Sequence, residues 1–441
     1  MLCLLVKGAK ITYSYGMKIF SANAELQARI LNRFIKYVKI WSESSAQNAE
    51  KGVIPSTPCQ KQFAKTLASD LKACGLKNVS VNADCYVYGI LPATKGMEDV
   101  PAFCLISHLD TVDEVSGKDV KPIIHAAFDG TRIDLKDGVS LDVQDDAYLA
   151  MAATHRDTII TADGTTLLGA DDKAGITEIV TALEYIKEHK EFKHGAIEVL
   201  FSPDEETGHG MDKVPIDLLK STFAYTVDGG HAGQLEIECF NAYSAKVKFV
   251  GKATHTGDAR KGGMINASCA AAKFIDNVPL TERPETTDGY QGFYAVMGFE
   301  GAIEEASVFL LLRDFTEQGM NDRIEKVKRI ARASADSFGA TVDIEFTCQY
   351  KNMRSALDAS PFVVKNLEEA YKSAGLAIEY CPIRGGTDGS RLTEMGIPTP
   401  NIFTGGHNFH SKREWASLWQ MSAAVDVLVN LAAVVVLKNK K

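Results

Sequence analysis

Along most of this chain, short apolar runs alternate with helical spacings, and the alternation is broken only once. The run PAFCLIS at Pro101–Ser107, the residues Ile197, Val199 and Phe201 before Ser202-Pro203, and Phe223–Val227 have the length and composition of buried strands. Between them, Ala24, Leu26, Ile30, Leu31, Phe34, Ile35 and Val38 repeat with helical spacing over residues 24–40, as do residues 60–73. Ile176, Ile179, Val180, Leu183 and Ile186 mark one face of a helix starting near Asp172. Strands alternating with helices predict an α/β domain with a mostly parallel central sheet. From residue 240 the order changes to strand 242–250, helix 266–276, strands 291–299 and 306–313, helix 322–337 and strand 341–349. That is β-α-β-β-α-β, the order of a ferredoxin-like α+β unit. After residue 352 the alternation resumes with helix 361–373, strand 376–381, helix 387–395, strand 398–403 and a long final helix. The simplest architecture is one α/β domain built from residues 1–239 and 353–441, with a smaller domain inserted at 240–352.

Composition narrows the function. The 48 basic and 57 acidic residues leave a net charge of −9, which argues against a nucleic-acid binder, since that would need a basic face. Nine cysteines form no CxxC pair and are odd in number, the usage of reduced thiols in a cytoplasmic protein. The apolar stretch from Ala423 to Leu437 is interrupted by Asp426 and Asn430 and reads as a buried closing helix rather than a membrane span. The opening MLCLLVKGAK lacks the apolar length and cleavage site of a signal peptide. Residues 1–16 read as an extension ahead of the ordinary amphipathic segment that begins at Met17.

Five segments bring metal-ligand residue types to the predicted strand or helix ends. They are His108-Leu109-Asp110, Asp171-Asp172, Asp204-Glu205-Glu206, Asp228-Gly229-Gly230, and GGHNFH with His407 and His410. Open α/β sheets bind ligands beyond the carboxyl ends of their strands. A lone histidine is more often structural, a Glu-Glu pair is usually a solvated turn, and an aspartate before a helix is usually an N-cap. Placed together, so many carboxylates would repel unless protonated or neutralised by cations. Imidazole and carboxylate without thiolate suit zinc, with cobalt or manganese as substitutes.

The segments SHLDT (107–111), LLGADDKAG (167–175), SPDEETG (202–208), TVDGG (226–230), KATHTG (252–257), RGGTDGSRL (384–392) and FTGGHNFH (403–410) occur in this order. In sequence and spacing they resemble the co-catalytic zinc exopeptidases, the family that also contains carboxypeptidase G and the acetylornithine and succinyl-diaminopimelate deacylases. Within that family, the resemblance points to the tripeptide aminopeptidases. It implies two zinc ions per subunit: His108 and Asp228 on the first, Glu206 and His410 on the second, and Asp171 bridging them. It makes Glu205 the general base and acid, and sets Asp110 behind the His108 imidazole. The Asp171–Asp172 peptide is expected to be cis. Two doubly charged cations against three ligand carboxylates and one hydroxide leave no net charge, so Glu205 remains free of metal duty. On an extended chain, Glu205 and Glu206 would point to opposite sides.

The same resemblance gives His255 the role of oxyanion donor and places the inserted domain at a homodimer interface. Arg313, Asn352, Arg354 and Arg384 are candidate grips for the peptide backbone or carboxylate, arginine being suited by its bidentate fork. His407 stands where the family has an aromatic residue and is not expected to bind metal, while His231 is ambiguous. The expected activity is removal of the N-terminal residue from tripeptides, with short peptides as partners and neither nucleic acid nor membrane. A dipeptidase or N-acyl amino-acid deacylase would share the site, but those deacylases carry glutamate at the position of Asp228. A non-catalytic metal- or peptide-binding protein would need neither Glu205 nor Asp110. No GxSxG, Walker loop or GxGxxG after a strand is present.

Overall fold

The computed structural model describes residues 2–6, 9–13 and 18–439. Leu2–Val6 and Ala9–Tyr13 pair as an antiparallel hairpin, and Met17 lies outside the described residues. The chain divides into two compact units: Met1–Ile237 with Ala356–Tyr380 and Thr387–Lys441, and Glu238–Ser355 with Cys381–Gly386. The return of Cys381–Gly386 to the second unit has no signal in the sequence pattern. Its backbone is tied there by the amide of Ile383, which donates to the Glu238 carbonyl.

The first unit is built on an eight-stranded mixed sheet. Its four central strands, Asn401–Phe403, Ala224–Gly229, Phe103–His108 and Ile197–Ser202, run parallel. Phe103–His108 and Ile197–Ser202 are buried along their whole length, as strands covered on both faces must be. Val87–Leu91 extends the sheet antiparallel beside Ile197–Ser202. The expected strand at 376–381 is only Glu379–Tyr380, paired at the sheet edge with Gln234–Glu236. Helices Ala24–Val38, Ala170–Glu188, Pro361–Ser373 and Leu418–Asn439 pack together over the sheet. Leu418–Asn439 is long and apolar enough to cross a membrane, but here most of it is buried inside the unit, as expected for a closing helix.

Ala170–Glu188 comes close to the sheet because residue 175 is glycine. A Cβ at Gly175 would overlap the carbonyl oxygen of Val227 and the carboxylate of Asp172. A second, smaller antiparallel sheet has the order Gly406–His407, Trp415–Ser417, Ile159–Thr161, Ile123–His125.

The second unit has the expected β-α-β-β-α-β order. Asn241–Val250 and Glu305–Asp314 are its central strands, flanked by Thr341–Tyr350 and Phe293–Gly301 respectively, all neighbours antiparallel. Alternate residues Ala245, Val247 and Phe249 point into its own core against helices Ala267–Asn277 and Glu317–Phe338. Asn266 and Thr316 cap the two helices, their side chains accepting from the amides of Cys269 and Gly319. The longer helix starts five residues before the expected 322, where this capping threonine precedes it.

Candidate metal centre and active site

The parallel strands end where their chemistry-bearing residues begin. His108 is the last residue of its strand and is almost wholly buried, its imidazole set among three carboxylates. Nδ1 lies 3.1 Å from the Asp110 carbonyl oxygen and 3.4 Å from the Asp110 carboxylate. Nε2 lies 2.9 Å from Oδ1 of Asp171 and 3.6 Å from Oδ1 of Asp228. Asp228 is near the end of Ala224–Gly229, the neighbouring parallel strand.

On the other side of Asp171, its Oδ2 lies 3.2 Å from Nε2 of His410, which is also 2.9 Å from Oε2 of Glu206. Each oxygen of Asp171 thus faces a different histidine, the geometry of a carboxylate shared by two centres. The Asp171–Asp172 peptide is cis. All five expected ligands therefore meet in one place. The ligand atoms of His108, Asp171 and Glu206 lie within 4.8 Å of one another, as do those of His108, Asp172 and Asp228.

Glu205 and Glu206 are not on extended chain. They lie in a short 3₁₀ turn, Glu205–Thr207, after Asp204 in left-handed backbone at φ 57°. Asp110 holds this turn, its two carboxylate oxygens accepting the amides of Glu205 (3.0 Å) and Glu206 (3.2 Å). Asp110 thus contacts both the His108 imidazole and the backbone of the proposed base. The carboxylate of Asp204 is anchored in turn by the Ser56 amide (2.7 Å) and the Gln60 side chain (2.6 Å). His410 also sits in left-handed backbone, φ 56°. Uncommon backbone of this kind at a non-glycine residue collects at functional sites.

The electrostatics follow from crowding. Burial and the Asp171 charge push Glu206 up to about 8. Burial pushes Asp228 up to about 6. Hydrogen bonds to Asp171 and Glu206 push the His410 imidazole up to about 11. Burial works against charge on His108, yet Asp228, Asp110 and Asp171 together hold its imidazole well above the ordinary range. Burial, opposed by His108, holds Glu205 well above the usual carboxylate range. An excess of buried carboxylates in so small a volume is the electrostatic signature of a cation site. The donor set fits a pair of divalent cations: imidazole nitrogens and carboxylate oxygens only, with one carboxylate placed to be shared. Glu206 supplies a separate sign of fit, because its Oε1 is buried without a hydrogen-bond partner among the described residues.

His407 is excluded as a ligand. Its ring is buried, stacked on Trp415 at 4.0 Å between centroids, and its Nε2 meets the Gln420 amide at 3.1 Å. Burial pushes it down to about 4. His231 stacks on Tyr148 and pairs with Glu379 at 3.0 Å.

The remaining candidates lie in the second unit. His255 is exposed, and its Nδ1 accepts the Gly257 amide at 3.2 Å. Arg313 is buried and donates to the carbonyls of Tyr243 and Leu312. Asn352 joins the Cys239 amide to the Phe315 carbonyl. Arg384 donates to the carbonyls of Thr287, Gly289 and Gln291, and Arg354 lies 3.6 Å from Glu238. In the structure these polar groups are engaged in holding their own unit together.

Glu414 and Asp388 were not evident in the sequence. Glu414 is buried and accepts the amides of Leu168, Gly169 and Asp171. Asp388 is buried, accepts the Ser202 hydroxyl and is pushed up to about 7 by burial. Spacing could not reveal either, because their partners are nearly two hundred or more residues away in sequence.

The chain belongs to peptidase family M20/M25/M40, whose family model matches residues 141–434. Its similar relatives include Peptidase T from Caldanaerobacter subterraneus subsp. tengcongensis, 43% identical over 405 residues, covering 92% of this chain and 98% of the relative. Peptidase T from Clostridium perfringens is 43% identical over 404 residues, with 91% and 98% covered. In fold, the chain matches the crystal structure of the aminopeptidase PepT from Bacillus cereus with a TM-score of 0.71 at 24% identity, covering 93% of this chain and 98% of that one. It matches a dinuclear metal-binding M20 peptidase from Bacillus subtilis with a TM-score of 0.64 at 14% identity, covering 95% and 100%.

Proposed function

We propose that this protein is a metal-dependent aminopeptidase that removes the N-terminal residue from tripeptides. The observation that carries the reading is Asp171, whose two oxygens face His108 and His410, with Asp228 and Glu206 completing the two sides. The similarity to Peptidase T over nearly the whole chain supports the substrate class. His108, Asp171 and Asp228 would hold one zinc ion, and His410, Asp171 and Glu206 the other. Divalent cations there supply the Lewis acidity that lowers the pKa of water and polarises a carbonyl.

The chain's own groups do the proton work. Glu205 takes a proton from the attacking water as the new C–O bond forms. It returns that proton to the peptide nitrogen as the C–N bond breaks. Burial, opposed by His108, raises its pKa above the usual carboxylate range, which favours holding the proton between the two steps. Asp110 keeps Glu205 in place through the turn amides. His255 is the proposed oxyanion donor. Its Nδ1 accepts an amide N–H, which leaves the imidazole proton on Nε2, where it can be donated. We assign the protein to the cytoplasm as a homodimer assembled through the second unit.

The test compares release of the N-terminal residue from a tripeptide, the matching dipeptide and the N-acetylated tripeptide. The tripeptide should be cleaved fastest and the blocked peptide not at all, with all activity lost on chelation and restored by zinc. Cleavage of the acetylated peptide instead would make the protein a deacylase. Glu205→Gln should keep its metal and lose at least ~10²-fold in kcat. Near-normal turnover in that variant would remove Glu205 from the mechanism.

A further inference from the structure

We propose that Glu414 is a positioning residue that clamps the loop of the shared carboxylate to the loop of His410, so that full occupancy of the cation pair depends on it. The inference rests on the metal-centre reading given above. Glu414 is 2% exposed, and both of its oxygens are used. Oε2 accepts the amides of Leu168 and Gly169, each at 2.7 Å, and Oε1 accepts the amide of Asp171 at 3.1 Å. These amides belong to the segment that enters helix Ala170–Glu188 through Gly169, whose φ is +82°. Three amide donors on one anion, two of them buried, leave little freedom in the direction from which Asp171 is presented.

Glu414 also closes the other loop. Its own amide donates to the Ser411 carbonyl at 3.2 Å, folding the turn that follows His410. The next residues, Trp415–Ser417, pair with both Gly406–His407 and Ile159–Thr161, so this turn is fixed to a sheet. One side chain thus joins the backbones carrying Asp171 and His410, whose side chains meet at 3.2 Å. His108 and Asp228 reach the site on separate strands that do not contain this clamp. Loss of the clamp should therefore weaken the cation on the His410–Glu206 side more than the one on the His108–Asp228 side.

The experiment is calorimetric titration of the metal-stripped full chain with zinc, comparing wild type, Glu414→Gln and Asp171→Asn. Glutamine keeps the shape of the side chain but sets an amide N–H₂ against amides that need an acceptor. Wild type should take two ions. Glu414→Gln should keep one near wild-type affinity and bind the other ~10–100-fold more weakly, the usual range for groups that support ligands. Its kcat should fall while one ion still binds at full stoichiometry, a division that a general loss of folding, which removes both sites together, would not produce. Two ions at wild-type affinity in Glu414→Gln, alongside loss of binding in Asp171→Asn, would overturn this proposal and leave the metal centre intact. Unchanged binding in Asp171→Asn would overturn the metal centre itself. If Glu414→Gln fails to fold, Glu414→Asp retains the charge at shorter reach and should show the same division between the two ions. Equal weakening of both ions in that variant would overturn the clamp.

Discussion

Glu236 is a buried carboxyl that takes no part in the proposed proton transfers, and it predicts how stability responds to pH. Its carboxylate accepts from the Asn401 side chain, and burial pushes its pKa up to about 8, with Asp228 adding to the effect. A carboxyl whose folded pKa lies above its unfolded value stabilises the fold fully below the unfolded value. That contribution fades as pH rises from about 4.5 through 8. Glu236→Gln, whose amide oxygen can still accept from Asn401, should flatten this part of the stability profile. The slope removed is at most about 1.4 kcal/mol per pH unit, that of one linked proton. Urea midpoints measured across that pH range would reveal it, and an unchanged slope would assign the proton elsewhere. Glu178 carries a simpler cost: both of its oxygens are buried without partners among the described residues. Glu178→Met should raise the melting temperature, corresponding to about 1–3 kcal/mol of recovered desolvation.

Legibility also differs from residue to residue. His108, Asp171, Glu206, Asp228 and His410 could be read from the sequence because each lies in a short motif at the end of a patterned element. Glu414, between Arg413 and Trp415, has no such mark, and its importance comes from three amides more than 240 positions away in sequence.

At the scale of elements, the helix Ala170–Glu188 depends on Gly175. An added methyl would strike the Val227 carbonyl, and the helix could relieve this only by lifting from Phe103–His108 and Ala224–Gly229, the strands that carry His108 and Asp228. Gly175→Ala should therefore cost about 1–3 kcal/mol, the range for overpacking, and should also lower bound metal. Urea unfolding together with metal analysis of the purified variant checks both; full metal content with unchanged stability would show that the backbone yields there without consequence. The longer elements were legible because ten or more residues of one period outweigh local accidents. The strands of the smaller sheet are two or three residues long, too short to show any period. The Glu205–Glu206 turn differs from the extended chain the sequence suggests because the strand before it shows a clear period of two, while nothing in the residue types marks Asp204 as left-handed.

For the whole molecule, the two units have separate hydrophobic cores, and the candidate ligands all belong to the first. Metal binding should therefore stabilise that unit selectively, because a ligand stabilises only the structure that binds it. Hydrogen exchange with and without a chelator is the measurement. Amides of Gly169–Asp172 and Glu205–Thr207 should lose protection when metal is removed, while those of Asn241–Val250 should not change. Equal loss in both units would place the cations elsewhere.

The candidate ligands are spread from His108 to His410. On a ribosome, a growing chain cannot grasp both cations until it has been made through His410 and the strands on either side have paired. On the proposed reading, capture of metal would be a late, sealing event in biogenesis. On that reading this would set it apart from the small zinc modules that have no folded state before the ion arrives, since its two units have hydrophobic cores of their own.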